Sequence, residues 1–276
     1  HDALPICNTP VLMKTLTVTP SLGKITNARV ILRNAVTGAQ LGERNTGTGG
    51  KVTFDVPASV STVITEVQGG NGAQYFDEAT GQMADMPAGA VLRAATTLVK
   101  TNSEIGVTAL TEAAVQRAEA LAGDASIVPF LNQAKAAIEQ AFGVANILAA
   151  PTLVDETADL AALGTSGAEQ YALRLATLAK VAHRQLGASE TAPALKMAQA
   201  LAGDFRDGNI DGSGANGPLP YDLASFAAEY QAQVLKLVQD FLASAGDSGF
   251  DQQKLQALLN YKIGRASCRE RVSSPV

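Results

Sequence analysis

The sequence predicts an α+β chain in two domains: an N-terminal antiparallel β-sandwich over residues 8–102 and a C-terminal all-α helical bundle over residues 103–262. Three observations carry this. From Val11 to about Lys100, short Val/Thr/Ile runs alternate with polar residues at the period of a half-buried strand. These runs are separated by Gly, Asn and Pro punctuation with no helical pattern between them, which favours a sandwich over a βαβ unit. From Thr108 onward, apolar residues recur at helical spacing instead.

Taken in order, Lys14–Thr19 (KTLTVT) is the first strand, stopped by Pro20. Ala28–Arg33 (ARVILR) alternates, with Ala28, Val30 and Leu32 on one face. Thr37-Gly38 makes a turn into the strand that begins at Gln40–Arg44. Gly49-Gly50 leads into Lys51–Val56, where Val52, Phe54 and Val56 alternate with Thr53 and Asp55. Val60–Gln68 and Val91–Lys100 bring the set to about seven strands. Thr108 is the N-cap of a first helix running to about Ala122. A second stripe runs from Ile127 through Ile138 to Phe142, ended by Gly143, and a third from Tyr171 to Leu186, ended by Gly187. Leu195, Ala198, Leu201 and Phe205 make a shorter fourth, and Leu223 to Phe241 a fifth. A sixth starts near Phe250. Alanines on these faces let helices approach closely, as a compact bundle requires.

The two ends have a different character. His1–Ile6 (HDALPI) and Ile263–Val272 (IGRASCRERV) resemble in-frame translations, one in each orientation, of the synthetic adapter used in short-read DNA sequencing. Residues 1–7 and 263–276 are therefore expected to be adapter-like artefact and, at Ser273–Val276, a tail that the adapter does not account for, and residues 8–262 an internal stretch of a longer gene. A leader or lipid anchor upstream is left open.

Without those ends the chain contains no cysteine, since Cys7 straddles one junction and Cys268 lies inside the other run. That excludes a thiolate nucleophile, a cysteine-ligated zinc and a disulfide framework. His183 is the remaining histidine, so a multi-histidine metal site is excluded too. The formal charge of −5, with no basic stripe, argues against nucleic acid. No apolar run reaches the ~18 residues of a membrane helix, so no membrane insertion is expected.

Thr26–Gly81 contains a hydrophobic strand closed by Thr-Gly, then Gly-Gly-Lys-Val-x-Phe-x-Val-Pro, a Glu-Val strand and Tyr-x-Asp-Glu-x-Thr-Gly. In order and spacing this resembles the carboxypeptidase-regulatory-like and Cna-B-like β-sandwich modules of bacterial surface proteins. The hinge Val107–Ala114 (VTALTEAA), the loop Gly143–Leu148 (GVANIL) and the helices after them resemble an arrangement in proteobacterial envelope proteins, a small sandwich followed by an alanine-rich helical region. The resemblance implies an immunoglobulin- or prealbumin-like sandwich, an extracytoplasmic location and a non-catalytic role, with no cofactor and an unidentified protein or polysaccharide partner. It also implies a candidate Lys–Asn isopeptide site with a buried carboxylate: by order along the chain, Lys14, Glu66 and Asn102. If Val63, Thr65 and Val67 face the core, however, Glu66 points to solvent, and Asn102 is then a linker residue.

Other constellations are weighed from the residues alone. Asp207-Gly208-Asn209-Ile210-Asp211-Gly212-Ser213 matches the first half of a calcium loop, with Asp207, Asn209 and Asp211 as candidate ligands. Its second half fails, with Gly214 at position eight and Pro218 at position twelve, so a plain Gly/Asn/Asp turn competes. Asp77-Glu78 are adjacent carboxylates that cannot easily flank one bond, and read as a polar turn at the sandwich rim. His183 reads as a surface or boundary residue, and no G-x-S-x-G elbow is present. The expected function is a structural or interaction module of a bacterial secreted or envelope protein. The alternative is an accessory or carbohydrate-binding region of a secreted hydrolase, and carboxylate chemistry in the helical half is a third reading.

Overall fold

The structure is a computed structural model and describes residues 12–164, 166–187, 189–214, 217–218 and 223–245, with Gln256 and Leu259. The two terminal runs and most of the expected sixth helix lie outside the described residues.

Ten strands come first: β1 (Met13–Pro20), β2 (Ile25–Thr26), β3 (Arg29–Asn34), β4 (Gln40–Asn45), β5 (Val52–Pro57), β6 (Thr62–Gln68), β7 (Gln74–Asp77), β8 (Gln82–Asp85), β9 (Val91–Thr97) and β10 (Asn102–Val107). The helices named among the described residues follow: α1 (Ala109–Ala122), α2 (Leu131–Phe142), α3 (Gly167–Leu186), α4 (Pro193–Asp204) and α5 (Leu223–Ala245). The strands make a four-stranded sheet in the order β4-β3-β6-β9, a three-stranded sheet β10-β1-β5 and a smaller one, β2-β7-β8. Pairings in these sheets are antiparallel with one exception: β1 and β10 run parallel, Thr15 opposite Asn102 through Pro20 opposite Val107. A division between residues 102 and 103 falls at the start of β10, which belongs with the strands by its pairing.

Local chemistry explains the turns and caps. At the β3–β4 turn, the Asn34 carboxamide oxygen accepts from the N–H groups of Val36 (2.8 Å) and Thr37 (3.2 Å), and Gly38 takes φ +73°. β5 keeps its expected alternation, with Val52, Phe54 and Val56 buried and Thr53 and Asp55 exposed. Thr108 caps α1 in a capping box with Thr111. The Thr108 hydroxyl also meets the Tyr171 hydroxyl at 2.6 Å, and Tyr171 donates to the Ile147 carbonyl at 3.0 Å, which ties α1, α3 and the 143–148 loop together. Ser166 and Glu169 make a second capping box on α3, and Gly143 ends α2 in the left-handed region.

Two hydrophobic clusters account for most of the interior. One draws Leu16, Val30, Phe54, Val67 and Leu92 from the two larger sheets, and continues into Ala179 of α3 and Ala194, Leu195 and Ala198 of α4. The other lies among the helices, around Phe142, Tyr171, Leu201, Phe226 and Tyr230. Tyr230 stands edge-on to Phe142 and stacks on Phe226, each with ring centroids 6.2 Å apart.

Candidate functional site

The most unusual chemistry lies where sheets and helices meet. β7 ends in a turn in which the Asp77 carboxylate accepts from the Ala79 N–H at 2.9 Å and the Asp77 carbonyl from the Gly81 N–H at 2.8 Å. This turn directs Glu78 inward. Glu78 is 6 % exposed, and neither carboxyl oxygen has a hydrogen-bond partner among the described residues. It lines a cavity of about 10 Å³, room for one water, whose walls are Leu22, Ala109, Leu175, Leu178, Met197 and Leu201 among other apolar residues.

An ionised carboxylate in such a place is poorly solvated. Burial pushes the Glu78 carboxyl up to about 8, and the neighbouring Asp77 adds to the shift. Lys180 and the Gly23 N–H pull the other way; the Gly23 N–H lies close enough to favour the ionised form but short of hydrogen-bonding geometry. Burial likewise lowers Lys180, which also senses Asp240, Lys236 and Glu78. The Tyr75 hydroxyl is buried without a partner among the described residues, and burial, then Asp77 and Glu78, push its pKa up. The expectation of a polar turn at the rim is therefore corrected. Asp77 and Glu78 are both buried, because α3 and α4 cover the turn.

A second polar cluster joins β9 to α1. The Arg93 guanidinium donates to Glu112 at 2.7 and 3.1 Å and to Glu119 at 2.5 Å. Burial works against its charge, but the hydrogen bonds and charges of Glu112 and then Glu119 outweigh it and hold Arg93 above its ordinary value. Arg93 and Glu112 line an open groove of about 500 Å³, together with Glu66, Gln68, Gln116 and Gln199.

The residues singled out from the sequence are mostly engaged by the fold. The Lys14 ammonium donates to the carbonyls of Leu98 (2.7 Å) and Val60 (3.3 Å). Glu66, in β6, pairs with Arg33 of β3 at 3.1 Å. Asn102 is exposed and stands opposite Thr15 at the start of β10. Lys14 and Asn102 thus come to neighbouring strands, whereas Glu66 is held elsewhere. His183 is half-buried near the end of α3.

In the calcium-like loop, the Asp207 carboxylate accepts from the Asn209 N–H at 2.8 Å, as in an Asx turn, and Asp204 accepts from the Gly212 N–H at 3.1 Å. The Arg117 guanidinium donates to the Arg206 carbonyl at 2.5 Å and lies against Gly208, placing a fixed positive charge in the loop. Among the described residues no group of three or more His, Cys, Asp or Glu side chains is arranged to hold a metal ion. Calcium at millimolar concentration is expected to leave the unfolding temperature unchanged. A rise of several degrees would restore Asp207, Asn209 and Asp211 as ligands.

The sequence places Glu78 in a rim turn where the structure buries it, and gives no reading of the Arg93 cluster. For the latter a signal existed: Glu112 and Glu119 are seven residues apart, on one face of the helix capped by Thr108. No family model, no curated protein and no solved structure matches the chain.

Proposed function

We propose that the chain is a non-catalytic structural or interaction module of a bacterial secreted or cell-envelope protein, acting outside the cytoplasm as a spacer or platform. In this reading the two larger sheets are the layers of a carboxypeptidase-regulatory-like or Cna-B-like sandwich, and α1–α5 are a helical bundle seated against it. The observation that carries the reading is the continuous core: one hydrophobic cluster takes side chains from both sheets and from α3 and α4. The Arg93 bridge to Glu112 and Glu119 ties β9 to α1 beside it. A seam of this kind resists relative motion of its two parts, as a spacer requires. The engagement of Lys14, Glu66 and Arg93 within the fold also supports a structural role.

The partner in this reading is a protein or polysaccharide of the envelope, with no part for nucleic acid, in keeping with the acidic charge. No helix of the described residues is long and apolar enough to cross a membrane. A second reading, an accessory polysaccharide-binding region of a secreted hydrolase, is favoured by the open groove. There the amides of Gln68, Gln116 and Gln199 offer groups suited to sugar hydroxyls.

Calorimetry of the full chain, together with assays on chromogenic ester, glycoside and peptide substrates, tests the first reading. A single cooperative transition and no turnover are expected. Turnover that co-purifies with the chain overturns it. Micromolar binding of soluble glycan fragments, lost on Gln116→Ala, moves the conclusion to the second reading.

A further inference from the structure

We propose that the seam between the sheets and helices α3–α4 is a protonation-gated latch: with the Glu78 carboxyl neutral the helices stay seated, and its ionisation releases them. This goes beyond the module's role and does not depend on its partner.

The geometry is that of a carboxyl closed in by the interface itself. The cavity that Glu78 enters has one wall from the sheet side, at Leu22, and its others from Ala109 of α1, Leu175 and Leu178 of α3, and Met197 and Leu201 of α4. A neutral carboxyl there loses little beyond hydration of a small polar group, and the cavity admits one water to satisfy it. A carboxylate has two oxygens without donors among the described residues, and the way to solvate them is to open the interface.

Among the described residues the surroundings offer no adequate counter-charge. From its own turn Glu78 faces Asp77, a like charge, and from β7 the Tyr75 hydroxyl. From α3 it senses Lys180, whose ammonium is half-buried and shared with Asp240 of α5, where Lys236 opposes it. Arg174 on α3 is buried and already engaged. From the β1–β2 connection comes the Gly23 N–H, while Lys24 pairs with Asp155 at 3.4 Å. On α1, Glu112 is bonded to Arg93, and on α4, Lys196 is paired with Glu190. Alanines dominate the cluster on the helical side of the seam, at 179, 192, 194 and 198. Small side chains bury little area, so one unsolvated charge weighs heavily against docking.

The direction in pH follows from linkage. The carboxyl is raised from its ordinary 4.5 to about 8 in the closed state. An open seam binds fewer protons than a closed one throughout that interval, so docking weakens as pH rises from about 4.5 and levels off above about 8.

The test is hydrogen exchange of the full chain, with intrinsic rates corrected for pH, at pH 6 and pH 9. In the wild type, the amides of Leu175–Ala182 and Ala194–Leu201 are expected to lose protection by on the order of tenfold or more, relative to those of β3 and β6. In Glu78→Gln, which keeps the shape and removes the charge, protection is expected to be independent of pH. Equal pH dependence in both proteins overturns the latch. Should the variant fail to fold, carbon-detected NMR titration of Glu78 in the wild type decides. A midpoint near 8, with helix signals moving in step, supports the latch, and one in the ordinary carboxylate range overturns it.

Discussion

Gly23→Ala is expected to be the most damaging single-methyl change in the sheets, lowering stability by roughly 3–5 kcal/mol. Gly23 sits between β1 and β2 at φ +72°, where a side chain is already strained. A Cβ there would lie 2.1 Å from the Phe76 carbonyl oxygen, a contact that only backbone movement can relieve. The backbone in question is held by the Phe76 N–H donating to the Lys24 carbonyl at 3.0 Å and by the pairing of Ile25 with Tyr75. Moving it separates β2 from β7 and disturbs the turn that carries Glu78. Gly38→Ala is the control. Its φ is +73°, almost the same, but a Cβ there meets nothing within 4 Å. It should cost only the conformational strain, about 1 kcal/mol. Urea unfolding of both variants checks this, and equal losses would mean that the close approach to Phe76 is unimportant.

Arg93→Ala is expected to cost about 3 kcal/mol, mainly by leaving Glu112 buried without its partner. Glu112's side chain is 4 % exposed, and it receives two of the shorter bonds from the guanidinium. Glu119 is 35 % exposed at its side chain, so water replaces most of what it loses, and Glu119→Ala should cost well under 1 kcal/mol. The double variant Arg93→Leu/Glu112→Leu should lose less than Arg93→Ala, since the charge then left without its partner is that of the partly exposed Glu119 and not that of buried Glu112. A double variant less stable than the single one would show that the pair contributes more than mutual neutralisation.

Where periodicity is strong, the sequence was informative. Val52, Phe54 and Val56 announce β5, and Thr108 with the stripe through Leu110 and Ala114 announces α1, because each depends on neighbours close in the chain. β7 and β8 were not read as strands: each is four residues long, too short to establish a period. β10 was missed because Asn102, Ser103 and Glu104 are polar, and what makes the segment a strand is β1, more than eighty residues upstream. The site was less legible than the fold for the same reason. Glu78 reads as a turn residue by its neighbours Asp77 and Gly81. Its burial is imposed by Leu175 and Met197, about a hundred residues away, and no local pattern encodes that.

The parallel pairing of β1 and β10 also sets how the strands bear load. The chain enters β1 at Met13 and leaves β10 at Val107, at opposite ends of the pair. Tension between those two points slides one strand along the other, so the hydrogen bonds of the six paired positions are strained together. An antiparallel hairpin pulled at its ends parts like a zipper, one bond at a time. The β1–β10 pair would instead hold as a clamp until the whole row gives way, with a rupture force set by the row and not by its weakest bond.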